Sequence, residues 1–249
     1  MARKFGLIGY PLSHSFSKKY FTDKFEKESI HETSYENFPI EDIGQMLSLF
    51  ENHPALIGLN VTIPYKELVL EHLDELARDA KEIGAVNTIK RCDGGKLKGY
   101  NSDIYGFGET LHRFVKSHHP SGVLILGTGG ASKAVRYVCE KMGFHVRFVS
   151  RKESSSTLSY AQLNREVIHQ HLLIINTTPL GMYPDINEFP PIPYHHLLPQ
   201  HYLLDLIYNP AETAFLQRGA AMGCQVKNGL EMLILQAEKS WSIWNDPDC

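Results

Sequence analysis

Residues 123–132, with the sequence VLILGTGGAS, decide the fold of the second half of the chain. Four apolar residues in a row are typical of a parallel strand that is covered on both faces. Val135, Val138 and Cys139 follow at helical spacing, so a helix is predicted directly after the glycines. A glycine-rich turn between strand and helix presents unpaired N–H groups to a pyrophosphate. The pattern therefore favours a dinucleotide site over a plain tight turn.

The glycine pattern matches GxGxxG except that Ser132 stands at the third glycine, where helix–strand packing requires only a small residue. The next apolar run ends in Ser150-Arg151-Lys152. NAD-binding chains usually carry an acidic residue at this place, whereas an arginine accommodates a 2′-phosphate. The sequence therefore predicts NADP, and the alternative is that Arg151 and Lys152 form an ordinary solvated pair. The predicted pyrophosphate contacts are Gly127, Gly129, Gly130 and Ala131.

Three more apolar runs follow at 145–149, 172–176 and 202–206, and helical patterns separate most of them. Strands that alternate with helices imply βαβ crossovers and a doubly wound parallel sheet. Upstream, strand-like runs at 5–9, 56–61, 85–90 and 97–101 alternate with helical patterns at 17–27, 41–51, 66–73 and 74–83. The sequence therefore predicts an α/β protein of two domains, 1–102 and 103–228, with a linker at 118–122 between a helical pattern at 103–116 and the strand that begins at Val123. Residues 229–244 are predicted to form an amphipathic helix.

Composition excludes several classes of function. The chain has 249 residues and a net charge of -3, so it has no general attraction for nucleic acid or an anionic membrane. No apolar stretch approaches the roughly 20 residues of a membrane helix, and the N-terminal apolar run is too short for a signal peptide. We therefore expect a cytoplasmic protein. The four cysteines form no CxxC pair, which predicts unpaired thiols, and the thirteen histidines lack metal-ligand spacing, which predicts no metal.

Two polar strings of the first domain contain the candidate reactive groups. Asn60-Val61-Thr62-Ile63-Pro64-Tyr65-Lys66 follows a predicted strand and places a lysine just beyond a proline-fixed turn. Gly99-Tyr100-Asn101-Ser102-Asp103 places a carboxylate where a strand ends and a helix begins. Taken singly, Asp103 reads as a helix N-cap and Lys66 as a surface lysine of a first turn.

The order of these strings resembles the shikimate dehydrogenase family, and the resemblance runs from Gly6 to Gln236. The family motifs HSxS, NVTxPxK, GxNTD, GxGGA and DxxYxP correspond here to residues 14–17, 60–66, 99–103, 127–131 and 205–210. Serine replaces the usual threonine at Ser102. The loop at 176–182 and the GxxMLxxQ segment at 229–236 resemble the family as well.

The resemblance implies the substrate site. Ser15 and Ser17 would bind the carboxylate, and hydroxyl donors at a helix N-terminus suit an anion. Lys66 and Asp103 would be the catalytic pair. The other implied substrate contacts are Asn60, Thr62, Asn87, Tyr208 and Gln236.

The resemblance also extends the cofactor site and the domain organisation. The family's NRT clamp reads Ser150-Arg151-Lys152 here, so only its arginine is retained. The implied cofactor contacts further along the chain are Thr177, Met182, Leu206, Gly229 and Met232. The second domain would be Rossmann-like, and the last helix would return to the first domain, which assigns 229–249 to it.

The implied activity is the reversible NADPH-dependent reduction of 3-dehydroshikimate to shikimate, in chorismate and aromatic amino-acid biosynthesis. Three alternatives stay open: an enzyme that also acts on quinate, a non-catalytic ligand-sensing module of the same fold, and a plain structural α/β protein. Retention of both Lys66 and Asp103 favours an enzyme over a sensor, because a sensor needs no acid. The expected partner is a small-molecule substrate, and the expected assembly is a monomer or a homodimer.

Overall fold

The computed structural model describes residues 2–12, 16–115, 122–152, 154 and 156–247. The chain divides into two compact units, Met1–Ser102 with Ala237–Cys249, and Asp103–Gln236. The expected division assigned all of 229–249 to the first unit, whereas the structure changes unit after Gln236. The reason is packing: Met232 lies in a hydrophobic core of the second unit, and Ala237 and Trp244 lie in one of the first.

The first unit contains a six-stranded mixed sheet with the order β2-β1-β3-β5-β6-β4. The strands are β1 (Arg3–Gly9), β2 (Thr33–Pro39), β3 (Leu56–Val61), β4 (Glu75–Leu76), β5 (Thr88–Arg91) and β6 (Leu97–Tyr100). β1 is parallel to both of its neighbours, and β5 is antiparallel to both β3 and β6. Gly94 and Gly95 adopt positive φ angles of 72° and 82° in the β5–β6 turn.

The helices of the first unit are α1 (Phe16–Lys27), α2 (Gln45–Asn52) and α3 (Arg78–Ile83). The predicted α-helix at 66–73 is wrong, because the chain there forms a turn and a 3₁₀ helix at Leu68–His72. The predicted helix at 74–83 is wrong only in its first part, where strand β4 lies. Hydrogen bonds to β6 explain the difference, because Asp74 N–H donates to Leu97 O (3.0 Å) and Ala77 N–H to Gly99 O (2.8 Å). These tertiary bonds outweigh the local helical periodicity.

The second unit contains a six-stranded, wholly parallel sheet with the order β12-β11-β10-β7-β8-β9. Its strands are β7 (Gly122–Leu126), β8 (His145–Ser150), β9 (Thr157–Ser159), β10 (Leu173–Asn176), β11 (Tyr202–Asp205) and β12 (Gln225–Lys227). If β7 to β12 are numbered 1 to 6 and the sheet is followed from β9 to β12, the order is the 3-2-1-4-5-6 of a dinucleotide-binding sheet. The direction in which successive strands are added changes between β7 and β10. The predicted doubly wound fold is confirmed, and β9 and β12 are strands that the sequence did not indicate.

The helices of the second unit are α4 (Asp103–Phe114), α5 (Gly130–Lys141), α6 (Arg165–Gln170) and α7 (Ala214–Ala221), and the last helix, α8 (Leu230–Asn245), begins in it. Val123, Leu124, Ile125 and Leu126 of β7 are all fully buried, as an apolar run covered on both faces requires. Of the predicted linker, Gly122 begins β7, and the other residues lie outside the described part of the chain.

The cysteine prediction holds in part. Cys139 and Cys224 are free and buried, whereas Cys92 is disulfide-bonded, so the prediction of unpaired thiols is wrong at Cys92. Cysteine spacing along the sequence does not reveal which thiols approach each other in the fold. Within the described ranges, no helix has both the length and the apolar character that a membrane crossing requires.

Candidate functional site

The glycine turn follows β7 at the carboxyl edge of the parallel sheet, where ligands bind in this class of fold. Gly127 has a φ of +102°, and a Cβ at that position would lie 2.9 Å from Thr177 Oγ1. Its N–H donates to Val149 O at the end of β8 (2.8 Å). The turn is therefore held against the ends of both neighbouring strands, and glycine is required at 127.

The N-terminus of α5 is open. Gly129 is its N-cap, and among the described residues nothing would lie within 4 Å of a Cβ placed there. Gly130 and Ala131 begin the helix, whose first turn carries no acidic residue. Ser132 is buried, and its hydroxyl donates to Gly129 O (2.6 Å), which explains why a small residue suffices at this position. An unobstructed helix N-terminus suits an anionic ligand.

The Ser150-Arg151-Lys152 segment forms a compact turn next to the glycine turn. Ser150 ends β8, and its hydroxyl oxygen accepts from the Lys152 N–H (3.2 Å). The side chains of Arg151 and Lys152 are exposed. Burial raises the pKa of Tyr160, and the charge of nearby Arg151 partly offsets this rise. Two cations thus extend from the end of the strand that neighbours the glycine turn.

Asp205 is a fully buried carboxylate at the end of β11. It accepts hydrogen bonds from Asn176 Nδ2 (3.0 Å), the Ile207 N–H (3.0 Å) and the Thr213 hydroxyl (2.6 Å). Thr213 also caps α7, because its oxygen accepts from the Leu216 N–H (3.4 Å). The carboxylate therefore ties the end of β10, the loop after β11 and the start of α7 to one point.

Asn176 extends this network into the loop that follows β10. Its Oδ1 accepts from the Thr178 N–H (3.0 Å) and the Thr178 hydroxyl (2.6 Å), and Thr178 Oγ1 accepts from the Leu180 N–H (3.3 Å). Sequence reasoning gave no role to the side chains of Asn176 or Asp205. In the sequence, each of them is only the first residue of a segment that resembles the family, 176–182 for Asn176 and 205–210 for Asp205, and the predicted contacts are later residues of those segments.

We expect Asp205→Asn to change how stability depends on pH. Burial raises the pKa of Asp205 to about 6, although its hydrogen bonds to Thr213, Ile207 and Asn176 act to lower it. An unfolded aspartate titrates near a pKa of about 3.9. The folded protein thus binds this proton more tightly, and stability falls as the pH rises through this window. Asparagine cannot ionise, so relative to wild type it should gain up to roughly 3 kcal/mol between about pH 4 and about pH 7.

Urea unfolding of both proteins across this pH range measures the effect. The Thr213 hydroxyl can turn to accept from the new amide, so the asparagine variant keeps the hydrogen-bond geometry. Asp205→Ala is the comparison, because it also cannot ionise but removes the acceptor, so it should be less stable than Asp205→Asn by about 1–3 kcal/mol per orphaned donor at every pH. A stability difference between Asp205→Asn and wild type that does not vary with pH would contradict the prediction.

The remaining predicted cofactor residues of the second unit lie along the same edge. Thr177 follows β10, and its hydroxyl donates to Leu126 O at the end of β7 (2.7 Å). The Leu206 N–H donates to Asn176 O (3.0 Å). A Cβ at Gly229 would lie 2.1 Å from Leu206 O, so only glycine permits this close approach. The ends of the central strands and the segment before α8 therefore lie close together.

Two predicted cofactor contacts, Met182 and Met232, and two predicted substrate contacts, Tyr208 and Gln236, differ in how far their side chains are exposed. Met182 is 48% exposed and Tyr208 is 36% exposed, so both can be reached by a ligand. Met232 and Gln236 are buried instead, and Met232 belongs to a hydrophobic core of this unit. Met232 therefore serves core packing, and its cofactor contact stays a prediction. Gln236 Nε2 donates to Leu233 O (2.8 Å).

In the first unit, the Asn60–Lys66 string begins in the last two residues of β3 and continues into the turn after it. The Thr62 N–H donates to Ile8 O (2.9 Å), and the Val86 N–H donates to Lys66 O (2.7 Å). Close packing of Thr62 against β1 explains Gly9, because a Cβ there would lie 2.4 Å from Thr62 Cγ2. The string is thus fixed between the end of β1 and the segment before β5.

A buried polar network contains two of the predicted substrate residues, Asn60 and Asn87. Asn60 Nδ2 donates to Ser240 Oγ (2.9 Å) and Asn87 O (3.2 Å). Asn87 Oδ1 accepts from the Ser102 N–H (2.7 Å), and Asn87 Nδ2 donates to Ser102 Oγ (3.0 Å). Ser240 and Thr88 share a hydrogen bond of 2.8 Å. Ser240 and Thr88 were not predicted, because no family motif or spacing singles them out.

Of the two predicted carboxylate-binding serines, Ser15 lies outside the described residues. Ser17 is the second residue of α1. Its hydroxyl lies near Tyr35 and acts to lower the pKa of that phenol, against the larger rise that burial causes. Tyr35 lies on β2, a strand that the sequence did not indicate, and it was not among the predicted site residues.

The two predicted catalytic residues belong to different units. Lys66 lies in the turn after β3 in the first unit, and Asp103 is the buried first residue of α4 in the second. Asp103 is thus the first helical residue, and its N-cap role stays a prediction. The hydrogen bond between Lys66 and Asp103 stays a prediction.

Comparison with known proteins identifies the family. The family model for the substrate-binding domain of shikimate dehydrogenase matches residues 7–89. The shikimate dehydrogenase (NADP(+)) of Clostridium beijerinckii is 38% identical over 251 residues, which covers 97% of this chain and 92% of that protein. The chain belongs to the shikimate dehydrogenase family.

Solved structures of shikimate dehydrogenases have the same fold. Shikimate dehydrogenase 1 of Peptoclostridium difficile is 38% identical with a TM-score of 0.85, covering 99% of this chain and 93% of that one. Shikimate 5-dehydrogenase of Thermus thermophilus, solved in complex with NADP(H) and shikimate, is 30% identical with a TM-score of 0.85. The two chains are covered to 98% and 95%. The motif resemblance is therefore a relationship along nearly the whole chain.

Proposed function

We infer that this chain catalyses the reversible NADPH-dependent reduction of 3-dehydroshikimate to shikimate, with Lys66 and Asp103 at the reacting carbon. Family membership carries the activity. The placement of the two residues rests on their motifs, NVTxPxK and GxNTD, and on the buried network that fixes both strings. The substrate is a small molecule, as the shikimate bound in the Thermus thermophilus structure supports.

The residues of the second unit fit NADP. The open N-terminus of α5 suits the pyrophosphate, and Gly127 permits the close approach that the turn requires. Arg151 and Lys152 suit a 2′-phosphate, because a guanidinium forms paired bonds to phosphate oxygens. Thr177, Met182, Leu206 and Gly229 would line the cofactor further along the edge. When bound, NADPH supplies the hydride.

The chain's own residues provide the acid and the orientation. Ser15 and Ser17 bind the substrate carboxylate, and Asn60, Thr62 and Asn87 contact its ring hydroxyls. Lys66 donates a proton to the oxygen of the reduced carbonyl and offers positive charge while that oxygen becomes negative. Asp103 accepts a hydrogen bond from the ammonium and orients it. Tyr208 and Gln236 complete the contacts from the second unit.

One measurement tests the activity. Loss of NADPH absorbance after addition of 3-dehydroshikimate is the expected result, with a much smaller rate when NADH replaces NADPH. Reduction of the oxidised cofactor on addition of quinate would indicate the alternative, an enzyme that also acts on quinate. A protein that binds shikimate but leaves NADPH unchanged would be a ligand-sensing module, and the proposal would be wrong.

We expect Arg151→Ala to weaken NADPH binding and leave NADH binding unchanged. The exposed guanidinium can bond only the phosphate that NADPH carries, and loss of a hydrogen bond to a charged group corresponds to about a ten- to hundredfold rise in KM for NADPH. Lys141→Ala, an exposed cation in the last turn of α5, is the matched control. Initial rates at varied NADPH and NADH measure the ratio. An equal rise in KM for NADPH and NADH would contradict the proposed role of Arg151 in binding the 2′-phosphate.

The proposal also includes a cytoplasmic location and a monomeric or homodimeric state. An anionic small-molecule substrate and a net charge of -3 support a protein without nucleic-acid or membrane partners. Light scattering of the purified protein, at several concentrations, measures the assembly directly.

A further inference from the structure

Tyr35 is a buried tyrosine whose hydroxyl group joins two predicted substrate-binding side chains. The side chain is 3% exposed. Its hydroxyl donates to Asn60 Oδ1 (2.8 Å), and the Ser17 hydroxyl lies near enough to the phenol to lower its pKa against the larger rise that burial causes. Ser17 and Asn60 lie 43 positions apart in the sequence, on α1 and β3. Tyr35 lies next to both side chains and can therefore influence the orientation of each.

The ring of Tyr35 is held on two sides by other aromatic rings. It stacks on Phe21 with a centroid distance of 4.6 Å and an interplanar angle of 17°. Trp244 lies tilted against it at 6.3 Å. Phe21 lies four residues after Ser17, so the two side chains share one face of α1. The stacked ring therefore fixes the phenol oxygen relative to the start of this helix.

The amide of Asn60 is oriented through the same contact. Tyr35 donates to its oxygen, while its nitrogen donates to Ser240 Oγ (2.9 Å) and to Asn87 O (3.2 Å). Both amide protons are engaged and one acceptor position of Oδ1 is filled, so the amide has a single favourable orientation, and the second acceptor position of Oδ1 is left for a substrate hydroxyl. Loss of the phenol would leave the buried oxygen without this donor and free the amide to turn.

We propose that Tyr35 is a positioning residue for the substrate, which holds the Ser17 hydroxyl and the Asn60 amide in their binding orientations. This inference rests on the proposed function. When a carboxylate arrives, the Ser17 proton turns to it, because a hydroxyl rotates freely and the carboxylate is the stronger acceptor. The Tyr35 hydroxyl continues to donate its hydrogen bond to Asn60 Oδ1. Burial raises the pKa of Tyr35, so it stays a donor at any working pH.

Tyr35→Phe tests the role, since it keeps the stacked ring and removes one oxygen. The expected result is about a three- to tenfold rise in KM for 3-dehydroshikimate. We expect kcat and the KM for NADPH to stay within about twofold, because a positioning effect on Ser17 and Asn60 acts on substrate binding. Tyr194→Phe is the matched control, since its hydroxyl donates to Pro190 O (2.8 Å) in the second unit. That variant should leave all three constants unchanged.

A double-mutant cycle with Ser17→Ala separates positioning from general loss of structure. If Tyr35 acts through Ser17, the Phe change should raise KM less in the Ser17→Ala background than in wild type. Thermal unfolding verifies that each variant folds, as the retained ring leads us to expect. An unchanged KM in Tyr35→Phe, a lower KM, or effects that multiply fully in the double variant would each overturn the inference. A wild-type protein that fails to oxidise NADPH would instead overturn the proposed function.

Discussion

Lys66→Ala should lower kcat by about two to four orders of magnitude, the usual contribution of a positioned general acid. The alkoxide formed on reduction needs a proton, and the variant offers neither an acid nor a positive charge at that position. We expect the protein to fold, because the substitution keeps the backbone oxygen of residue 66, which accepts from the Val86 N–H (2.7 Å). Initial rates at saturating substrate and NADPH measure the effect.

Two further variants make this test specific. Lys66→Arg keeps the positive charge but removes the acid, because a guanidinium does not give up its proton in proteins. Its kcat should therefore stay close to that of Lys66→Ala if proton donation dominates. Lys81→Ala, on the exposed surface of α3, is the control and should keep wild-type rates. Near wild-type turnover in Lys66→Ala would remove the lysine from the mechanism.

The parts of the fold that sequence predicted are those with strong local signals. The run at 123–126 predicted a strand with no exposed face, and all four residues are fully buried. The glycines after it predicted a turn, and Gly127 has the positive φ that only glycine adopts readily. Here the local sequence and the tertiary environment require the same structure, so a local pattern suffices.

The sequence did not predict β2 or the role of Tyr35. The strand Thr33–Pro39 is mostly polar and carries no clean alternation, so its stability comes from pairing with β1 and from the burial of Tyr35. The register that sets Phe5 opposite Tyr35 and the stacking on Phe21 both depend on the finished fold. No local pattern contains that information.

The Asp205 network illustrates the same limit for the candidate site. The string 205–210 was recognised for its tyrosine, but the partners of Asp205 lie 29 residues before it and eight residues after it. Their meeting requires β10 and β11 to be neighbours in the sheet, which follows from strand order rather than from spacing. Similarly, 74–77 has helical periodicity, but hydrogen bonds to β6 make it extended.

Asp103→Asn is the second substitution for which we expect a collapse of turnover. Asparagine has nearly the same shape and can still occupy a helix start, so α4 should keep its N-terminus. It cannot provide a negative charge to the Lys66 ammonium. Without that charge the ammonium loses its orientation and part of its stabilisation, so kcat should fall by about two to four orders of magnitude, comparable to loss of the acid itself.

The control is Asp79→Asn, the same chemical change in the first turn of α3, where the side chain is exposed. It should leave kcat and thermal stability near wild type. If Asp103 is merely an N-cap, Asp103→Asn should retain activity, because asparagine caps helices as well as aspartate does. The double variant Lys66→Ala with Asp103→Asn provides the decisive comparison, since two residues that act as a unit lose little more together than either does alone. Losses that multiply would mean that the carboxylate and the ammonium act independently.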